Sequence, residues 1–225
     1  MPAREIPLVT DQVYHIFNKI EHNESLFTQK TICQPMIDAL WYYQYCHIPM
    51  KLSYFRNQSI ADRASIAKTL DGEKCYVDIL TYCLMPNHFH LILRQKEING
   101  ISIYMSKVQN SITKFANIKR KTKGHVFIGQ FKAKRIDSDE LLLHISRYIH
   151  LNPYTGYVRK TFDDTTHYPW SSFHEYISDS TPICKQTSIL SHFKSKEEYM
   201  LFVNNQKEYQ RTLADIRHAL IEDID

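Results

Sequence analysis

His88 and His90 flank a single residue in the run Met85-Pro86-Asn87-His88-Phe89-His90-Leu91-Ile92-Leu93. In an extended strand, residues two apart share a face. The two imidazoles would project side by side, with Phe89 turned to the packed face. Two neutral imidazoles on one face make half of a metal site. The same spacing also occurs in strands that bind nothing, so further donors must come from elsewhere in the chain. A second polar stripe stands elsewhere in the chain. His144, Tyr148 and Asn152 follow one another at i, i+4 steps and share one face of a predicted helix. A phenol and a carboxamide one turn apart, with an imidazole one turn earlier, make a polar stripe on an otherwise apolar helix. They also fit a packing tyrosine and a helix C-cap.

A third feature is charge. From Met105 to Arg135 the chain carries Lys107, Lys114, Lys119, Arg120, Lys121, Lys123, Lys132, Lys134 and Arg135, with no Asp or Glu. The whole chain is only mildly basic, at a formal +4, and its end is acidic at Glu222, Asp223 and Asp225. A basic block inside a nearly balanced chain suggests a polyanionic partner, and nucleic acid is the preferred one. A solvated lysine-rich helix face would read the same way.

These groups need a scaffold. Val13–Ile20 reads as a first strand, with His15 an ordinary strand histidine among β-formers. Residues 25–45 have helical spacing, with Pro35 inside. Leu52–Phe55 reads as a short extended piece and Ile60–Leu70 as a more polar helix. Tyr76–Met85 and His88–Arg94 read as two antiparallel strands joined by a tight turn at Pro86-Asn87. Ile101–Lys121 is a long amphipathic helix. His125–Ile136 reads as another strand. Asp137-Ser138-Asp139-Glu140 looks like an N-cap opening a helix over Leu141–Leu151 that stops near Asn152-Pro153. Lys196–Val203 and Lys207–Ile221 read as C-terminal helices. This order suits an α+β fold: a ferredoxin-like antiparallel sheet with helices packed on one face, plus a C-terminal helical extension.

Composition sets the outer bounds. The 225 residues allow one large domain with an appendage, and 43% hydrophobic with 23% charged residues is ordinary for a soluble protein. No apolar run approaches the length of about 20 residues that spans a bilayer. The N-terminal Met1-Pro2-Ala3-Arg4-Glu5-Ile6-Pro7 lacks the apolar core of a signal peptide, so a cytoplasmic protein with no membrane partner is expected. Cys33, Cys46, Cys75, Cys83 and Cys184 are scattered, without C-x-x-C spacing, and read as reduced structural thiols.

Four stretches then carry a resemblance: Tyr82–Leu93, Gly124–Lys132, Ile145–Pro153 and Tyr168-Pro169-Trp170-Ser171-Ser172-Phe173. In this order and spacing the sequence resembles the single-tyrosine HUH transposases, most closely the REP-associated tyrosine transposases of bacteria. The resemblance covers about residues 10–178, which it marks as a catalytic domain; residues 179–225 lie beyond it as an extension. It implies that His88 and His90 hold a divalent metal, Mg²⁺ or Mn²⁺, with Asn152 as third ligand. It implies that Tyr148 is the nucleophile, cutting single-stranded DNA through a 5′-phosphotyrosine and releasing a 3′-hydroxyl. It further implies strand transfer, a hairpin-containing substrate, and a homodimer or a monomer. The basic block would hold the backbone, with Tyr104, Phe115 or Phe127 as possible base-stacking residues, although core packing is the preferred reading for Phe115. Two departures stand out: Gly129-Gln130-Phe131 where relatives commonly have Gly-Arg-Phe, and Tyr154-Thr155-Gly156 where they commonly have an Arg before Ala-Gly.

Two other readings compete. One is a zinc hydrolase in which His125 or His150 joins the strand pair. The other is a nucleic-acid-binding module in which the site residues persist without catalysis.

Overall fold

A computed structural model of the chain describes residues 7–179 and 183–222, with side chains as far as residue 214. The segment Met1–Ile6 lies outside the described residues, as do the side chains of Ile216 and Leu220 on the last helix. The chain runs β1 (Val13–Lys19), α1 (Lys30–Tyr43), α2 (Leu52–Arg56), α3 (Ile60–Leu70), β2 (Val77–Met85), β3 (His88–Gln95), α4 (Gly100–Arg120), β4 (Lys132–Ile136) and α5 (Asp139–Thr155). Five further helices follow: α6 (Phe162–Thr166), α7 (Phe173–Ile177), α8 (Thr187–Leu190), α9 (Lys196–Asn204) and α10 (Lys207–Glu222).

The four strands form one antiparallel sheet in the order β2-β3-β1-β4. With α1 and α4 as the two crossovers, this is the ferredoxin-like β-α-β-β-α-β arrangement. Both crossover helices pack on one face of the sheet. Tyr104 of α4 donates its hydroxyl to the Leu40 carbonyl of α1. The Gln95 side chain of β3 accepts from the Ile101 N–H at the start of α4. His90 is five residues before Gln95 on the same strand, so it faces the opposite side. That opposite face is where α5 lies.

Gly100 explains how closely α4 starts against the sheet. A Cβ there would run into the Tyr76 carbonyl oxygen, which is backbone and cannot swing away. Ser138 caps α5 by accepting from the Leu141 N–H, and Asp139 and Glu140 occupy the first turn, favourably placed for the helix dipole.

The outer edge of β2 is covered. Leu84 N–H donates to the Trp170 carbonyl, Ser172 N–H to the Tyr82 carbonyl, and Lys185 N–H to the Ile79 carbonyl. Tyr168 and Tyr176 add hydroxyl bonds to the Leu84 and Leu80 carbonyls. The Tyr168–Phe173 motif therefore occupies an edge that would otherwise present unpaired backbone groups. Glu175 anchors the segment from inside: its buried carboxylate accepts from the Tyr82 hydroxyl and from the Ile183 and Cys184 N–H groups.

Three local expectations give way. Leu52–Phe55 belongs to α2 and is not extended. The strand expected from His125 starts only at Lys132. The preceding residues curl away after a single bridge, Ile20 to Phe127, and Gly129 takes a left-handed φ of 51° that an extended strand does not allow. Helix α5 runs past Pro153 to Thr155, where the Gly156 N–H closes it on the Asn152 carbonyl.

Candidate active site

Strand β3 begins at His88, straight after the two-residue turn at Pro86-Asn87, so both histidines stand near one end of the sheet. Alternation puts His88 and His90 on the α5 face. Phe89 goes to the other side, where its ring packs edge-on against Phe127 at 5.8 Å. The His88 and His90 rings lie 5.0 Å apart, and the Tyr148 ring stands edge-on to His90 at 5.5 Å. Asn152, one turn further along α5, is buried and lines the same cleft as His88; its Nδ2 donates to the Tyr148 carbonyl. The four residues expected from the sequence to act together are thus gathered at one place.

A cleft of about 440 Å³ lies elsewhere, among α1, α2 and α3. The larger one, about 640 Å³, is lined by His88, His90, Tyr148 and Asn152, with Lys19 of β1 and Arg147 of α5. Its outer wall comes from Gln206, Tyr209, Gln210 and Leu213, at the start of α10 and just before it. Helix α10 is fixed to α5 there. The Tyr154 hydroxyl donates to Glu208, and the Arg211 guanidinium sits 3.5 Å over the Tyr154 ring while donating to the Tyr154 carbonyl.

Both imidazoles have their Nδ1 engaged from behind. His88 Nδ1 is 2.7 Å from Asn87 Oδ1, and Asn87 is itself bonded to Asn23. His90 Nδ1 is 2.9 Å from His15 Nε2. Burial, with Lys19 adding to it, pushes His88 down to about 4; burial, with His88, His15 and Lys19 adding, holds His90 well below the usual histidine range. Both rings are therefore neutral at neutral pH. Because Asn87 Oδ1 only accepts, the neutral His88 carries its proton on Nδ1, and Nε2 is a lone pair. Asn152 uses its Nδ2 on the Tyr148 carbonyl, which leaves its side-chain oxygen uncommitted. Neutral imidazoles and an uncommitted amide oxygen lining one cleft are donors that a divalent cation can take, which fits these residues to a metal. Among the described residues no group of three or more His, Cys, Asp or Glu side chains gathers as a metal site. The set here is two imidazoles and an amide, leaving coordination positions for other oxygens.

The third imidazole on this face is His15. It stacks on His90 at 5.1 Å and meets the Tyr148 ring edge-on at 6.4 Å. Neither histidine of the zinc reading joins them. His150 is fully buried, with Nε2 against Ser172 and Nδ1 accepting from Tyr199, so both nitrogens are committed. His125 is exposed beyond α4.

The basic block divides. In the β1–β4 ladder Lys134 pairs with His15 and Lys132 with Phe17, so both lysines share the histidine face. Arg135 turns to the opposite face and donates to Gln12. Helix α4 also lies on that opposite face. Of its cations, Lys107 rests 4.5 Å over the Tyr76 ring and Arg120 pairs with Glu24 at 2.6 Å. Lys114 and Lys119, together with Lys121 and Lys123 just beyond the helix, are exposed. Tyr104 and Phe127 are buried and cannot stack on a base; Phe115 is partly buried, with Arg56 over its ring at 5.3 Å.

Three side chains of this cleft escape the sequence reading: His15, Lys19 and Arg147. His15 and Lys19 sit at alternate positions of β1 on the face that β3 presents, a signal visible only once the β1–β3 register is known. Arg147 precedes Tyr148 directly, but its burial depends on α9.

A ferredoxin-like sheet whose strand histidines face a helix-borne tyrosine and amide defines a class of DNA-processing enzymes, the single-tyrosine HUH type. The chain belongs to the family described as "Transposase IS200 like", whose model matches residues 37–152, 116 of 225 and so more than half of the chain. It is an enzyme of the transposase type by that membership. Among solved structures it is similar to a REP-associated tyrosine transposase bound to a REP hairpin. That similarity has a TM-score of 0.55 and 15% identity, covers 81% of this chain and 90% of that one, and speaks for the fold. A search of curated proteins gives no match.

Proposed function

We propose that this protein cleaves single-stranded DNA and transfers the cut strand through a covalent 5′-phosphotyrosine at Tyr148. The observation that supports it most is that one cleft gathers His88, His90, Tyr148 and Asn152, with the Tyr148 ring edge-on to His90. Residues 10–178 act as the catalytic domain, and residues 179–225 are an extension that completes one wall of the cleft.

His88, His90 and Asn152 would hold a divalent ion, Mg²⁺ or Mn²⁺, with the imidazoles favouring Mn²⁺. When bound there, such an ion would draw charge from phosphoryl oxygens and stabilise the leaving oxygen. Tyr148 supplies the nucleophile. Its phenol oxygen bonds to phosphorus as the bond to the 3′ oxygen breaks, and the proton given up by the phenol balances the one gained by the 3′-hydroxyl. The ester keeps the energy of the broken bond, so a 3′-hydroxyl can reverse the step or a different one can complete a transfer. Lys132 and Lys134 lie on the same face and attract the backbone without reading sequence.

The substrate we infer is a strand with a hairpin beside a single-stranded flank, as the hairpin bound by the similar solved structure suggests. The protein would act in the cytoplasm, on the nucleoid when bound to DNA. Incubation of the protein with single strands from the flanks of its own gene, with Mn²⁺ or Mg²⁺, tests the reaction. A protein–DNA species that survives denaturation is expected. Binding without any such species would favour a non-catalytic DNA-binding module.

A further inference from the structure

Arg147 sits beside Tyr148 and lines the same cleft, yet it is only 7% exposed. A guanidinium stays charged in a protein, and a buried one is ordinarily matched by a carboxylate. Arg147 has none. One Nη lies 2.6 Å from the Nδ1 of His144, and the guanidinium carbon lies 4.4 Å over the Phe202 ring of α9. Its Nε is buried and has no hydrogen-bond partner. Among the described residues no carboxylate comes within ion-pair distance of it. The cleft lining contributes no Asp or Glu and one further cation, Lys19.

An uncompensated buried cation costs stability and returns little to the fold. It becomes favourable when an anion enters and takes up the free donors. The position says which anion. Neighbouring residues on a helix are rotated by about 100°. Tyr148 turns its ring to His90, whereas Arg147 turns its guanidinium toward Phe202 of α9. A phosphate at Arg147 is therefore not the one attacked by Tyr148. We infer that Arg147 is the receptor for a second phosphodiester of the bound strand, one that holds the flank of the cut site along the wall shared by α5 and α10. The inference rests on reading the cleft as a single-stranded DNA site.

The test uses the full chain with Tyr148→Phe and EDTA, so that binding is read without chemistry. Affinity for a fluorescent single strand from the gene's flank is followed against salt. For single strands, each phosphate contact adds about 0.7 to the slope of log affinity against log salt. Arg147→Met should lower affinity about tenfold and remove about 0.7 from that slope. Its thermal midpoint should stay level or rise, which a residue kept for structure would not allow. Arg147→Lys, which keeps a charge, should recover the slope. Arg147→Gln is the second neutral variant and should lose the same slope. An unchanged slope in either neutral variant that folds overturns the inference. Failure of the wider reading looks different: a wild-type protein that binds DNA with the Arg147-dependent slope but forms no adduct would remove the chemistry and leave this contact standing.

Discussion

His15 Nε2 lies 2.9 Å from His90 Nδ1, across the ladder that joins β1 to β3. The bond holds the His90 ring by its Nδ1, beside the edge-on Tyr148 ring. If His90 is a metal ligand, His15 sets its tautomer and orientation, as outer partners of metal-bound histidines commonly do. Loss of such a partner typically weakens metal binding about 10- to 100-fold. His15→Phe should therefore weaken Mn²⁺ binding by about tenfold or more, read by electron paramagnetic resonance. His15→Gln, which can keep an acceptor near Nδ1, should lose less. Equal Mn²⁺ affinity in all three proteins would show that His15 merely packs.

The division of the basic block leads to a second expectation. Lys132 and Lys134 share the histidine face, whereas Arg120 is held by Glu24 on the far side of the sheet. Lys132→Gln and Lys134→Gln should each reduce the salt slope of single-strand binding by about 0.7. Arg120→Gln should leave it unchanged. A larger loss at Arg120 would move the DNA path to the α4 side.

Acid sensitivity should follow from His150. Burial pushes this histidine down to about 3, with His174 adding slightly, while an unfolded chain holds it near 6.5. Between those values the unfolded state binds the extra proton, so stability is full above pH 6.5 and falls as pH drops toward 3. From the titration alone the loss amounts to about 2 kcal/mol by pH 5. His15 and His88, each lowered to about 4, act in the same direction. Urea denaturation at pH 7 and pH 5 should show the fall, and His150→Gln should be less stable at pH 7 yet lose about 2 kcal/mol less on acidification. An identical loss in both proteins would contradict the assignment.

Much of the site was legible because it depends on short-range periodicity. The H-x-H pair needs only the two-residue repeat of a strand, and Tyr148 with Asn152 needs only the helical step of four. The ferredoxin-like order followed from the succession of patterns for the same reason. What stayed hidden depends on contacts between distant segments. His15 is 75 positions from His90, and only the β1–β3 register brings them together. The nine cations from Lys107 to Arg135 form one block along the chain, but the sheet separates them onto two faces. Phe127 and Gly129 illustrate a third cause: an apolar run with β-forming residues curls away where one glycine takes a left-handed turn and a phenylalanine packs under the sheet.

The central claim is that Tyr148 carries the strand. The most direct measurement is peptide mass spectrometry of the adduct formed with a flank-derived single strand and Mn²⁺. A nucleotide-bearing peptide containing Tyr148 is expected, with none from Tyr148→Phe and with DNA binding retained in that variant. An adduct mapped to another residue, or one that persists in Tyr148→Phe, would contradict it.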